Sequence, residues 1–168
     1  MGKAPDYRTI VVGTDGSPLA APTVTRAAWL AAQADADLVI VCAYAELSRR
    51  QEARNVATLG DSRAGQIPGR DTAGAAIASA VALAREQGAT IAAALMADGE
   101  PASTLLSTAR DRAADLLVVG ALRDAGIADR LLGTVATEVV RRAECEVLIV
   151  RPPHGAPELH APQEPPPA

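Results

Sequence analysis

The sequence predicts a Rossmann-like α/β domain: an open five-stranded parallel sheet, order 3-2-1-4-5, with helices on both faces. Two observations carry this. Short apolar runs alternate strictly with helical patterns between Arg8 and Arg151. The runs are also nearly continuous in Val, Leu and Ile, as strands covered on both faces must be. Right-handed crossovers then wind helices onto both sides of the sheet.

Each element has its own signal. Arg8 to Gly13, "RTIVVG", is a short strand rich in β-branched residues. Ser17 is a good helix N-cap and Pro18 suits the first helical position. Val24, Ala27, Ala28 and Ala31 recur at helical spacing as far as about Ala34. Asp37 to Tyr44, "DLVIVCAY", is the second strand. Residues 45 to 71 are polar and glycine-dotted, a mobile connection with a short helical turn over Ser48 to Val56. "GDSRAGQI" within it lacks the Lys-Ser/Thr pair of a phosphate-cradling Walker loop.

A helix follows over Thr72 to Gln87, with Gly88 as its stop. Thr90 to Leu95 is a weaker, alanine-rich strand. Pro101 opens a third helix with Ala102, Leu105, Leu106, Ala109 and Ala113 on its inner face. Asp115 to Gly120 is the fourth strand. A helix over Leu131 to Ala143 buries Leu132, Val135, Val139 and Ala143, and Glu146 to Arg151 is the fifth strand. The domain is expected over residues 1–151, followed by a proline-rich, disordered tail over 152–168.

Composition narrows the chemistry. Of 168 residues, 49% are apolar, enough for a core, and the net charge of −4 with 2% aromatics excludes a basic, aromatic-studded nucleic-acid surface. The N-terminus has no apolar signal-like stretch and no run approaches a membrane span, so a soluble cytoplasmic protein without membrane contact is expected. Lys3 is the one lysine, and His154 and His160 both lie in the tail. The core therefore offers no imidazole for a triad or a zinc site, and no lysine for a Schiff base. Asp, Glu, Arg, hydroxyls and backbone remain, a set better suited to binding than to catalysis. Cys42 and Cys145 fall in or beside strands three steps apart, roughly 14 Å at ~4.8 Å per step, and are expected as unpaired thiols.

In an open doubly wound sheet, ligands bind beyond the carboxyl ends of the strands where the strand order reverses. Here that point lies between the first and fourth strands. The turns leaving them are "GTDGS" from Gly13 and "GALRDAGIADRLLGT" from Gly120. Gly133-Thr134 then leads into a helix whose first N–H groups attract anions. Asp15 can accept ribose hydroxyls or form an Asx-turn. Thr134 can donate to a phosphate or cap its helix. Arg123 and Arg130 can pair with phosphate or stand in solvent.

Several segments together resemble the universal stress protein family over about residues 6 to 151: "TIVVGTDGS", "GEP" at Gly99 to Pro101, "ADLLVVG" at Ala114 to Gly120, and "RLLGTVATEVVRRAECEVLIVR" at Arg130 to Arg151. The resemblance, to single-domain, actinobacterial-like members, implies an adenine nucleotide alpha hydrolase-like fold and a homodimer through the last strand, residues 146–151. It implies a stress-response or signalling role with ATP or cyclic AMP as ligand, AMP or ADP as further candidates, and Mg²⁺ accompanying ATP. Asp15 would hold the ribose, with Thr14, Ala43 and Val119 bordering the nucleoside. Gly120, Gly133, Thr134 and Val135 would surround the phosphates. The family's loop signature is Gly, two residues, Gly, nine residues, then Gly-Ser or Gly-Thr. Gly120, Gly133 and Thr134 match it in register, but Arg123 stands at the second glycine, and Ala136 stands where a small hydroxyl residue is common. Arg123 can fill the phosphate site or bond a phosphate itself. Two readings follow: a nucleotide-binding protein with at most weak ATP hydrolysis through Asp15 and Mg²⁺, or a scaffold whose degenerate site leaves it to act through protein contacts.

Overall fold

The computed structural model describes residues 6–45, 67–121 and 132–151. Strand β1 (Thr9–Gly13) runs through the centre of the sheet, and Ile10, Val11 and Val12 are fully buried. Its start is held by Asp115, whose Oδ2 accepts the N–H groups of Arg8 at 2.7 Å and Thr9 at 2.9 Å. Helix α1 (Ala20–Ala34) begins later than Ser17 and Pro18 imply. Ser17 is not its cap: the Ser17 carbonyl, not its hydroxyl, takes the N–H of Ala20 at 3.0 Å, so Pro18 and Leu19 form a tight turn before the helix. Asp35, in the left-handed region at φ 53, closes the helix and returns its N–H to Ala31.

Strand β2 (Asp37–Ala45) lies parallel to β1 in a register that pairs Thr9 with Asp37 and Gly13 with Val41. A two-residue strand β3 (Ile67–Pro68) pairs with its last two residues, Tyr44 and Ala45. Thr14 donates to the Val41 carbonyl at 2.9 Å and Gly69 to the Ala45 carbonyl at 3.2 Å. Those carbonyls are an even number of residues apart on β2 and point the same way. β3 therefore continues the β1 side of the sheet past the end of β1. The polar connection thus ends in structure before residue 71; the turn expected over Ser48 to Val56 lies outside the described residues.

Helix α2 (Arg70–Glu86) leads to β4 (Thr90–Asp98), which pairs with β2 and runs three residues beyond the predicted end. A bulge shifts the register, pairing Leu38 with Ile91 but Val39 with Ala93. One extra residue reverses which face the following side chains meet. Ile91 accordingly packs into the core under α1 and α2, whereas Ala93 and Leu95 pack into the core on the other face.

Helix α3 (Pro101–Asp111) starts at a proline and is capped by Glu100, whose carboxylate accepts the N–H groups of Ala102 at 3.0 Å and Ser103 at 2.8 Å. Ala102, Leu105, Leu106 and Ala109 are buried as expected. Ala113 is not: the helix has ended, Ala113 sits at φ 48 and its side chain is exposed. Strand β5 (Leu116–Gly120) pairs with β1 on one side and β6 (Glu146–Val150) on the other. Helix α4 (Thr134–Arg142) is shorter than predicted because Gly133, with extended backbone, takes the N-cap position. Val139 is buried, but Leu132 precedes the helix and is exposed; Ala136 takes the inner-face position instead.

The long strands lie in the order β4-β2-β1-β5-β6, which is 3-2-1-4-5 once the two-residue β3 is set aside. Two cores sandwich the sheet. Val24, Ala27, Ala31 and Ala80 of α1 and α2 meet Ile10, Val12, Ile40 and Val118 on one face. Ala102, Leu105, Ala136 and Val139 of α3 and α4 meet Val11, Val39, Val41 and Leu117 on the other. Cys42 is buried, Cys145 half-buried, and both are free thiols. No helix among the described residues is long and apolar enough to cross a membrane.

Candidate nucleotide site

After the pair β1–β2, strand β4 is added beside β2 and the next long strand, β5, beside β1, so the chain reverses its direction of winding at the gap between β1 and β5. The turns that leave these two neighbouring strands separate onto opposite faces and open a crevice. A cleft lies there, enclosing about 730 Å³ with its mouth included.

The β1 side of the cleft is Gly13, Thr14, Asp15 and Ser17. Its turn is built from local hydrogen bonds. Thr14 Oγ1 accepts the Gly16 N–H at 3.2 Å, and Asp15 Oδ1 accepts the Ser17 N–H at 2.9 Å. The Asx-turn reading of Asp15 is therefore correct, and it coexists with a place on the cleft wall: one carboxylate oxygen shapes the turn and the residue still borders the cavity. Gly16 has φ 72, and a Cβ there would come within 2.7 Å of Ala76 Cβ on α2. This close approach seats the turn on the helix and needs glycine twice over.

The β5 side is Val119, Gly120 and Ala121, continued by Gly133, Thr134, Val135 and Ala136. Ala121 donates to the Val150 carbonyl at 2.8 Å, and Gly133 donates to the Ala121 carbonyl at 2.7 Å. These bonds bring the two ends of the 122–132 segment together at the end of β5. Gly133 has no side chain to cap α4, and the first bond back to it is from the Thr137 N–H at 2.9 Å. Thr134 is thus the first helical residue and not a cap. The opening N–H groups of α4 face the end of the helix where partial positive charge collects.

Of the residues singled out from the sequence, Thr14, Asp15, Ala43, Val119, Gly120, Gly133, Thr134 and Val135 all line this cleft. Arg123 and Arg130 lie outside the described residues. The sequence reading missed the floor and the far wall. Val41 joins Ala43 from β2, Pro101 and Leu105 come from the first two turns of α3, and Leu19, Ala20 and Thr23 come from the cap and first turn of α1. The α3 contribution had a signal, because every helix of a doubly wound sheet starts at the carboxyl edge. A Cβ at Gly13 would stand 3.0 Å from the Leu105 methyls, which shows how closely α3 approaches β1 there.

The Cys42 thiol, one residue before Ala43, is pushed up to about 11 by burial and, secondarily, by the negative charge of Asp15. Partial burial pushes the Glu100 carboxyl up, but the N–H bonds from Ser103 and Ala102 outweigh it and hold it below its ordinary value. Among the described residues, no group of three or more His, Cys, Asp or Glu side chains is placed to hold a metal ion.

The family model for the universal stress protein family matches residues 6–151. The chain belongs to the universal stress protein family. Among its relatives is universal stress protein Rv1636 of Mycobacterium tuberculosis H37Rv, 40% identical over 144 residues, which span 86% of this chain and 96% of the relative. A crystal structure of a universal stress protein in complex with cAMP superposes with a TM-score of 0.66 at 35% identity, covering 87% of this chain and 98% of that one. The universal stress protein from Archaeoglobus fulgidus in complex with dAMP superposes with a TM-score of 0.59 at 21% identity, covering 86% and 98%, a likeness of fold alone. Membership in the universal stress protein family agrees with the sheet order, which is that of its adenine nucleotide alpha hydrolase-like fold.

Proposed function

We propose that this universal stress protein binds an adenine nucleotide, ATP or cyclic AMP, in the cleft between β1 and β5. The observation that carries this reading is the convergence of Asp15 and the opening turn of α4 on one cavity. Asp15 accepts the ribose hydroxyls, while Thr14, Ala43 and Val119 border the nucleoside. Gly120, Thr134 and Val135, with Gly133 at the helix cap, surround the phosphates, and Mg²⁺ enters only with ATP. The solved relative that carries cAMP supports the choice of ligand class. Among the described residues, none that lines the cleft offers an imidazole or a lysine amine, and we read the role as recognition, in stress response or signalling, with at most weak hydrolysis.

Affinity in the micromolar range requires about 8 kcal/mol in total. A helix terminus supplies only ~0.3–1 kcal/mol to an exposed charge. The apolar walls at Val41, Ala43, Leu105 and Val119 therefore have to bury the base. Arg123 stands at the second glycine position of the loop signature, where an arginine can bond a phosphate or take its place. Titration calorimetry with ATP, ADP, AMP and cyclic AMP tests the reading, and heat from at least one is expected. Silence from all four at high protein concentration overturns it and favours the protein-contact scaffold, in which case Arg123→Gly should restore affinity.

The partner reading is a homodimer through β6. β5 is buried along Leu116 to Val119, whereas Val147, Leu148, Ile149 and Val150 of β6 are only half-buried although equally apolar. An apolar edge strand left open invites pairing with another chain. Sedimentation velocity over a range of concentrations should show a dimer; a monomer at every concentration removes this part of the proposal.

A further inference from the structure

Thr23 closes the first turn of α1 and is 1% exposed. Its Oγ1 is buried and has no hydrogen-bond partner among the described residues. This is unusual for its position. A threonine inside a helix normally satisfies its hydroxyl on the carbonyl three or four residues earlier, here that of Ala20 or Leu19. A buried hydroxyl without a partner destabilises the fold, and a valine of the same shape would not. The same residue lines the cleft, together with Leu19 and Ala20 one turn before it. These α1 residues follow directly on the Asp15 turn, on the face of the sheet opposite α3 and α4.

We propose that the Thr23 hydroxyl is a hydrogen-bonding position for the bound nucleotide, made to an oxygen of its ribose or adjoining phosphate. The inference rests on the nucleotide reading above. A hydroxyl both donates and accepts, so it serves a sugar hydroxyl or a phosphate oxygen equally. It is left unsatisfied in the protein alone because its partner arrives with the ligand. The residue is then a case in which binding is kept at the expense of stability.

Three proteins are compared by calorimetry and thermal melting: the unchanged chain, Thr23→Val and Thr23→Ser. ATP, AMP and cyclic AMP are titrated, with adenosine as the phosphate-free ligand. Thr23→Val should weaken binding by about fivefold to tenfold, the loss of one neutral hydrogen bond, while its unliganded melting temperature stays level or rises. Thr23→Ser should bind nearly as the unchanged chain does. A penalty that persists with adenosine places the bond on the ribose; one confined to the phosphorylated ligands places it on the phosphate. Undiminished affinity in Thr23→Val overturns this inference and leaves the nucleotide reading standing. Equal losses in the Val and Ser variants overturn it too, since packing and not the hydroxyl would then matter. If the unchanged chain binds none of the four ligands, the nucleotide reading falls first and this inference with it.

Discussion

Gly133 donates its main-chain N–H to the Ala121 carbonyl at 2.7 Å. Ala121 is fully buried and is itself bonded to the last residue of β6. The bond therefore fixes where α4 begins, independently of the path taken by residues between them. It also fixes the direction in which the first N–H groups of α4 point.

Replacing Gly133 by proline tests that bond. Its φ of −62 already suits proline, so the loss is mainly the donor. The orphaned Ala121 carbonyl should cost about 1–3 kcal/mol of stability. Chemical denaturation measures that cost. Calorimetry should show nucleotide affinity falling with it, as the opening turn of α4 loses its anchor.

Gly16→Ala should destabilise the chain by two separable terms. A left-handed backbone costs an L-residue roughly 1–2 kcal/mol. The new Cβ also meets Ala76 Cβ at 2.7 Å. The double change Gly16→Ala with Ala76→Gly relieves the contact but not the backbone term. Its stability should exceed that of Gly16→Ala after allowing for Ala76→Gly alone, a coupling that a double-mutant cycle measures.

Asp15→Ala should reduce nucleotide affinity by about tenfold to hundredfold, the worth of a charge-assisted hydrogen bond of ~1.5–3 kcal/mol. Asp15→Asn keeps an acceptor for the Ser17 N–H and should lose less. Binding that ignores both changes would show that the ligand does not reach this wall.

Asp115 predicts a pH dependence. The N–H groups of Thr9 and then Arg8 hold its carboxyl below the ordinary aspartate value of 3.8. A carboxyl depressed by folding stabilises the protein above its unfolded value and loses that contribution as pH falls through the folded one. Asp115→Ala should cost about 0.5–1.5 kcal/mol at neutral pH, because the Arg8 and Thr9 N–H groups it leaves are exposed and part-buried and can turn to water. The difference from the unchanged chain should shrink as pH drops below about 4. Asp115→Asn should retain part of the stability without its pH dependence. Urea unfolding at a series of pH values measures all three.

Cys42 should resist thiol reagents in the folded chain. With its thiol pushed up to about 11 and its side chain fully buried, little thiolate forms at pH 8 and none is accessible. Mass-resolved alkylation should label Cys145 first and Cys42 only on unfolding. Rapid labelling of Cys42 without denaturant would contradict its burial.

Much of the fold was legible because each strand carries its own composition. "IVV", "LVIVC" and "LLVV" are apolar without alternation, which only a doubly covered strand requires. The position of the cleft was legible for the same topological reason, since winding order alone brings the ends of β1 and β5 together. Ala113 and Leu132 were misjudged because periodicity extends past a helix that its caps have already ended. Asp111 ends α3 before Ala113, and Gly133 begins α4 after Leu132. Nothing in the sequence marked the β4 bulge or the approach of Leu105 to Gly13, since each arises from contacts between distant segments.

The amino-acid order by itself determined the alternation of elements, the family and the positions of the two turns, because these depend on local periodicity and on fixed spacings. Tertiary structure alone decided that α1 and α3 complete the cleft, that Gly133 is tied to Ala121, and that Thr23 is buried at the cavity with no hydrogen-bond partner among the described residues. Those features depend on where non-neighbouring backbones come to rest, and close packing sets that only when the whole sheet is assembled.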